Sequence, residues 1–390
     1  MHGLRILLLV TACAMLAPSA SARTGQGRTG SQDQAPRFRA GIEVVEVAFI
    51  ARDSHGAPVT DLRASELAVA ENGAPQQILA LERVSLPRVG ETPPPPAATP
   101  GNQGEVATPP AREGRVFVFV LDALHVAAAR NLAVRRHARE FVEQYMGPGD
   151  AAAVLSPGAI AGATVDFTTD SSRLIKAIDS FTGTKLPSAT IERSRSVPAA
   201  TDEERAYRVE ALADSLEKLA RWLDKLPGRR KALLLFTEGF DYDVADVMGR
   251  EARYASEVRR AMNRAVGALA RTNTVLYAID PRGLDSIDGQ LVETPVTDAK
   301  DIFRLQRELG DSIRSLRALA EGTGGFLSTD KGMERAYELI AADNSEYYLL
   351  RYAPRKPARL GESRRIAVRT SRSGVRITAR SGYTVPRERQ

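Results

Sequence analysis

The sequence predicts an α/β protein: a doubly wound, mainly parallel sheet inserted between N- and C-terminal β segments that form one β-sandwich. Three observations carry that expectation. Continuous apolar runs such as Val116-Phe117-Val118-Phe119-Val120-Leu121 have the pattern of strands buried on both faces. Helical stretches lie between such runs, and strands alternating with helices imply a parallel sheet covered on both sides. Outside this block, at both ends, apolar and polar residues alternate with period two, as in strands with one wet face.

The first residues predict export. Met1-His2-Gly3-Leu4-Arg5 is a short basic start, Ile6 to Leu16 is almost wholly apolar, and Ala20-Ser21-Ala22 supplies small residues. That is the order of a secretory signal, residues 1–22, and implies a periplasmic or secreted protein. Val10-Thr11-Ala12-Cys13 roughly resembles a lipobox, but the residues after Cys13 stay apolar, so lipoprotein anchoring ranks second. No other stretch approaches the roughly 18 apolar residues of a transmembrane helix. Loss of the leader removes the single cysteine, excluding disulfides and thiolate chemistry from the processed chain. The net charge of +6 favours anionic partners weakly, whereas few aromatics interleave with the basic residues, which argues against nucleic acid.

Residues 23–38 are polar and expected to be disordered. The N-terminal β segment, 40–86, holds strands at 42–50, 67–71 and 77–81, with Asn72-Gly73 as a hairpin signal. Residues 87–114, with Pro93-Pro94-Pro95-Pro96, read as a linker. The α/β block, 115–343, has strands at 116–121, 151–155, 163–167, 231–236, 274–279 and 326–328. Its helices are expected at 127–145, 171–181, 202–226, 252–271, 302–321 and 332–341. The C-terminal β segment, 346–386, has strands at 346–352, 365–369 and 375–380, the last two joined as a hairpin through Ser371-Arg372-Ser373-Gly374. Neither terminal segment can bury much alone, so the two are expected to pair around the inserted block.

Val118-Phe119-Val120-Leu121-Asp122, Thr168-Thr169-Asp170, Gly183-Thr184 and Leu234-Leu235-Phe236-Thr237-Glu238-Gly239 together resemble the strand ends of a von Willebrand factor type A (VWA) domain. Tyr347-Tyr348-Leu349-Leu350-Arg351-Tyr352-Ala353-Pro354 and Ala379-Arg380-Ser381-Gly382-Tyr383 are similar to the tail of exported bacterial VWFA-related proteins, and Asp53–Pro58 and Glu71-Asn72-Gly73 to their opening. The resemblance spans roughly residues 40–386. It implies a divalent-cation site at the C-terminal edge of the sheet, built from an Asp-x-Ser-x-Ser loop, a threonine and an aspartate.

Here that motif is degenerate. Asp122 keeps the first position, but Leu124 and Val126 stand at the serine positions and have no side-chain oxygen. Thr184 fills the threonine slot and Glu238 replaces the aspartate. Asp122, Thr184 and Glu238 are the remaining metal candidates, and Mg²⁺, which demands near-octahedral oxygen ligation, is not the expected occupant. No other cofactor is expected. Asp122 could instead accept backbone N–H groups of its own turn, and Glu238 and Asp241 could be solvated loop acids. His125 adds the option of a His/carboxylate site for Zn²⁺, against the ordinary reading of a hydrogen-bonded or solvated histidine. The basic run around His137 reads as a solvated helix face.

No phosphate loop, His-Glu-x-x-His or Gly-x-Ser-x-Gly motif is present, so an enzyme is not expected. The sequence therefore predicts a binding module for an extracytoplasmic protein or envelope component. Its ligand-binding edge would be Asp122, His125, Thr184, Glu238 and Asp241, flanked by the 183–201 loop and the 281–301 excursion. An assembly protein acting through its β-sandwich is the alternative, and a metal-dependent hydrolase using His125, Asp122 and Glu238 stands third. Oligomeric state is left open.

Overall fold

The computed structural model describes residues 44–90, 114–159, 164–195, 200–226, 229–240, 252–283, 298–329, 333–357 and 359–385. The expected leader, the 23–38 stretch, most of the linker, Asp241 and most of the 281–301 excursion lie outside them.

The first described segment contains β1 (Val45–Arg52), β2 (Leu67–Glu71), β3 (Ala74–Gln76) and β4 (Ile78–Ser85). Asn72 and Gly73 turn β2 into β3 with both φ angles positive, the backbone that a two-residue hairpin of matching twist requires. The α/β block follows: β5 (Val116–Leu121), α1 (Asn131–Tyr145), β6 (Ala151–Leu155), β7 (Val165–Thr168), α2 (Ser171–Asp179), α3 (Ala189–Arg195) and α4 (Asp202–Leu223). It continues with β8 (Lys231–Phe236), α5 (Ala252–Arg271), β9 (Thr274–Ile279), α6 (Ala299–Gly322), β10 (Leu327–Ser328) and α7 (Glu334–Ser345). The chain ends in β11 (Glu346–Tyr352), β12 (Ser363–Thr370), β13 (Arg376–Ala379) and β14 (Gly382–Thr384).

Six strands form the central sheet in the order β10-β9-β8-β5-β6-β7, parallel except for the β7 edge. Every residue of β5, β8 and β9 is buried. Alternate side chains of β5 serve opposite cores, as the two-residue period of a strand demands. Phe117 and Phe119 pack with Phe141, Phe181 and Tyr337 beneath α1, α2 and α7. Val118 and Val120 pack with Leu216, Leu233, Leu235 and Leu269 beneath α4, α5 and α6. Burying each such side chain contributes roughly 1.5–3 kcal/mol, so these two cores dominate the stability of the block. Local caps set the helix starts: Asp170 accepts from Ser172 N, Thr201 from Glu204 N and Asp298 from Lys300 N.

The remaining strands form two antiparallel sheets, β13-β1-β11-β4 and β14-β12-β2-β3, each mixing strands from before and after the block. Val47, Phe49, Val69, Tyr348, Ile366 and Tyr383 share one core between them. Glu71 is buried in this unit, where it takes hydrogen bonds from Tyr352 Oη (2.7 Å), Tyr383 Oη (3.0 Å) and Arg364 Nη1 (2.6 Å).

The structure corrects several local expectations. Ser371–Gly374 does not close a hairpin: β12 pairs with β2 and β14, whereas β13 pairs with β1 in the other sheet. The turn crosses between sheets, tied down by Ser371 N on Glu66 O and by Arg372 on Asp61 and Glu66. The 183–201 stretch is not wholly a loop, since it contains α3. Residues 128–130 form a separate 3-10 turn ahead of α1. His137 is buried, not solvated, because its turn of α1 packs against Tyr337, whose hydroxyl donates to His137 O (2.9 Å).

Candidate functional site

From β5 the chain steps one way to β6 and β7, and from β8 the other way to β9 and β10. The strand order therefore reverses between β5 and β8, and their C-terminal ends open onto the crevice where doubly wound sheets bind ligands. Asp122 follows directly on β5, and Glu238 lies two residues past the end of β8. Asp122 N donates to Phe236 O (3.0 Å), extending the β5–β8 pairing by one residue and fixing the carboxylate at the crevice floor.

Asp122 is fully buried. Its Oδ1 accepts from Leu124 N (3.2 Å), and its Oδ2 from His125 Nδ1 (2.8 Å) and Thr237 Oγ1 (2.8 Å). Nδ1 of His125 is the donor in this contact, since a carboxylate accepts. Nε2 is buried with no hydrogen-bond partner among the described residues, and the ring stands edge-on to Phe240 at 5.2 Å.

Glu238 is also buried, which removes the solvated-acid reading. Its Oε1 accepts from Ala127 N (2.8 Å) and its Oε2 from Lys185 Nζ (3.2 Å). Burial pushes its pKa up, but Lys185, Arg282 and the Ala127 N–H outweigh that and hold it below the ordinary glutamate value. Its backbone is held too: the Glu238 carbonyl accepts from Arg282 Nη2 (2.7 Å) and from Ser312 Oγ. Arg282 in turn grips Asp280, just past β9, through Nε to Oδ1 (2.9 Å) and Nη2 to Oδ2 (2.6 Å).

Thr184 is exposed, and both its N–H (2.7 Å) and its hydroxyl (3.0 Å) donate to Ala123 O. Lys185 N donates to Val126 O (3.1 Å), so this loop is stitched along the 123–126 turn. Leu124 packs under Gly158. A Cβ there would lie 2.4 Å from Leu124 Cδ2, and φ of +78° already favours glycine.

The structure thus brings Asp122, His125 and Glu238 together around the β5–β8 crevice, with Thr184 on its rim, while Asp241 lies outside the described residues. Sequence reasoning missed Thr237, Lys185, Arg282 and Ser312. Arg282 had a local signal, a cation two residues past a strand-end aspartate. Lys185 had none, since its partner is 53 residues away.

The donor set does not suit the divalent cation that the resemblance implies. Leu124 and Val126 offer no oxygen, the Thr184 hydroxyl is spent on a carbonyl, and Asp122 and Glu238 already hold hydrogen-bond donors on every oxygen. Among the described residues no group of three or more His, Cys, Asp or Glu side chains is placed to hold a metal. What the arrangement offers instead is a set of internally compensated charges, one buried imidazole nitrogen and a rim of loop backbone. No protein-family model and no curated protein matches the chain.

Proposed function

We propose that this chain is an exported VWA-type binding module that recognises an extracytoplasmic protein or envelope component at the C-terminal edge of its parallel sheet, without a bound metal. The observation that carries the reading is the position of Asp122, His125 and Glu238 at the point where the strand order reverses. The strand order and the antiparallel β7 edge support a doubly wound fold of this type. The basic and apolar start of the sequence supports export. No described helix is long and apolar enough to cross a membrane.

A hydrolase using His125, Asp122 and Glu238 has less support, because Lys185 and Ala127 N occupy the Glu238 oxygens. An assembly role through the β sheets is favoured by one feature, the exposed Arg365 and Arg369 on the outer side of β12.

The test is capture from envelope extracts with the full chain as bait, comparing Thr184→Arg at the crevice rim with Arg365→Glu/Arg369→Glu on β12. The binding reading expects Thr184→Arg to lose the captured partner and the β12 variant to keep it. The reverse pattern would transfer the function to the β sheets.

A further inference from the structure

The disagreement between the implied metal and the donors present has a specific physical form, and the inference drawn from it rests on the VWA-type reading above. We propose that the Lys185 ammonium is a tethered cation serving the carboxylate edge in place of a divalent metal. Two independent contacts point to this. The ammonium lies 3.2 Å from Glu238 Oε2 in a position where the lysine side chain is 12% and the glutamate side chain 4% exposed. The Lys185 backbone is pinned to Val126 O, so the lysine is delivered by the very turn whose side chains have lost their oxygens.

Charge bookkeeping agrees with the geometry. Asp280 has its own counter-ion in Arg282, at 2.6 Å, which also hydrogen-bonds the Glu238 carbonyl rather than its carboxylate. Asp122 is satisfied by neutral donors and an imidazole N–H. Glu238 is the carboxylate at the crevice whose side chain carries an ammonium, and a carboxylate buried without one would be strongly unfavourable. A free ion must be recruited from solution at the entropic cost of binding, whereas a lysine in the adjoining loop is always present. The Glu238 carboxylate is therefore met by a covalently held positive charge that chelators cannot strip.

The inference is tested by thermal unfolding of the full-length chain after EDTA treatment, in rising MgCl₂ or MnCl₂ against ionic-strength controls. Wild type and Lys185→Arg should show the same Tm at all cation concentrations. Lys185→Met should unfold about 5 °C lower at every Mg²⁺ or Mn²⁺ concentration, because losing the ammonium adds no oxygen ligand to the turn; recovery with either ion would show that the edge can hold a metal and would overturn the inference. Lys185→Met/Glu238→Gln, with both charges gone, should regain Tm and ignore both ions. Isothermal titration of the wild type is the second measurement, and needs no variant to fold. Stoichiometric Mg²⁺ or Mn²⁺ binding by wild type, or a Lys185→Met protein as stable as wild type, overturns the inference. A fully stable Lys185→Met protein would leave the binding reading intact, metal binding by wild type would remove only its metal independence, and failure to capture a partner would leave the thermal result untouched.

Discussion

The two ends of the parallel sheet both bury charge, but they spend it differently. At the N-terminal ends of the strands, charged and polar groups reach out of the α/β block into the β sheets. Arg52 pairs with Asp343, Asn273 Nδ2 donates to Glu46 Oε1 (2.8 Å), Arg230 N donates to Tyr347 Oη (3.3 Å), and Arg380 binds Ala270 O and, at 2.8 Å, Glu46 O. At the C-terminal ends, Asp122, Glu238, Asp280, Lys185 and Arg282 bind turns and loops of the block itself. Similar side chains thus cement one edge to a second packed unit and shape the other as a crevice. Burial of charge alone does not mark a functional site; what the charge is anchored to does.

The sharpest way to test this contrast is to strip charge from the N-terminal edge, where one buried pair stays inside the block. Arg115 and Asp150 form an ion pair with side chains 1% and 4% exposed, and Arg115 Nη2 also donates to Tyr145 O (2.7 Å). Arg115→Met strands a buried carboxylate and should cost about 3–5 kcal/mol, read as a lower urea midpoint with capture of the partner unchanged at temperatures where the chain stays folded. The crevice edge should respond more mildly. Gly158→Ala introduces both a positive-φ strain and a contact with Leu124, for about 1–3 kcal/mol, and should weaken capture more than its stability loss explains.

The smallest effect is one of pH. Lys231 is 2% exposed at the start of β8, with Nζ on Thr272 O (2.7 Å), and burial pushes its pKa down to about 8, partly opposed by Asp224 and Glu46. Between about 8 and the ordinary lysine value the unfolded chain holds a proton that the folded chain has lost, so stability rises with pH across that window. Lys231→Met should flatten this slope in urea melts at pH 7 and pH 10. An unchanged slope would show that the lysine stays charged and fully paired at the cemented edge.

The framework was legible because its signals are local and periodic. β5, β8 and β9 are unbroken apolar runs, and Asn72-Gly73 announces its turn by composition. β3 and β14, three residues each, are too short to leave a period, and α3 lies in a stretch of Ser, Thr and Arg without an apolar stripe. Ser371–Gly374 reads as a hairpin because turn chemistry fixes a reversal but not which sheet each arm joins. At the crevice, the residues attached to strand ends were readable. The lysine that balances Glu238 was not, since charge pairing across loops leaves no spacing in the chain, whereas Arg282 stands two residues past its partner Asp280.

The pairing of β1 with β11 and β13 sets residues near position 50 against residues near positions 350 and 378. A chain emerging from its amino terminus therefore carries β1 without either final neighbour, and β2 paired only with β3, until nearly all the rest has followed. Contacts of such long sequence separation close slowly and leave strand edges open meanwhile. The α/β block, whose strands find neighbours within the block, can assemble first and offer α7, which runs directly into β11, as the seed on which both antiparallel sheets zip shut. Loss of the last few dozen residues would thus leave β1 and β2 as sticky, half-matched ribbons on an otherwise formed core.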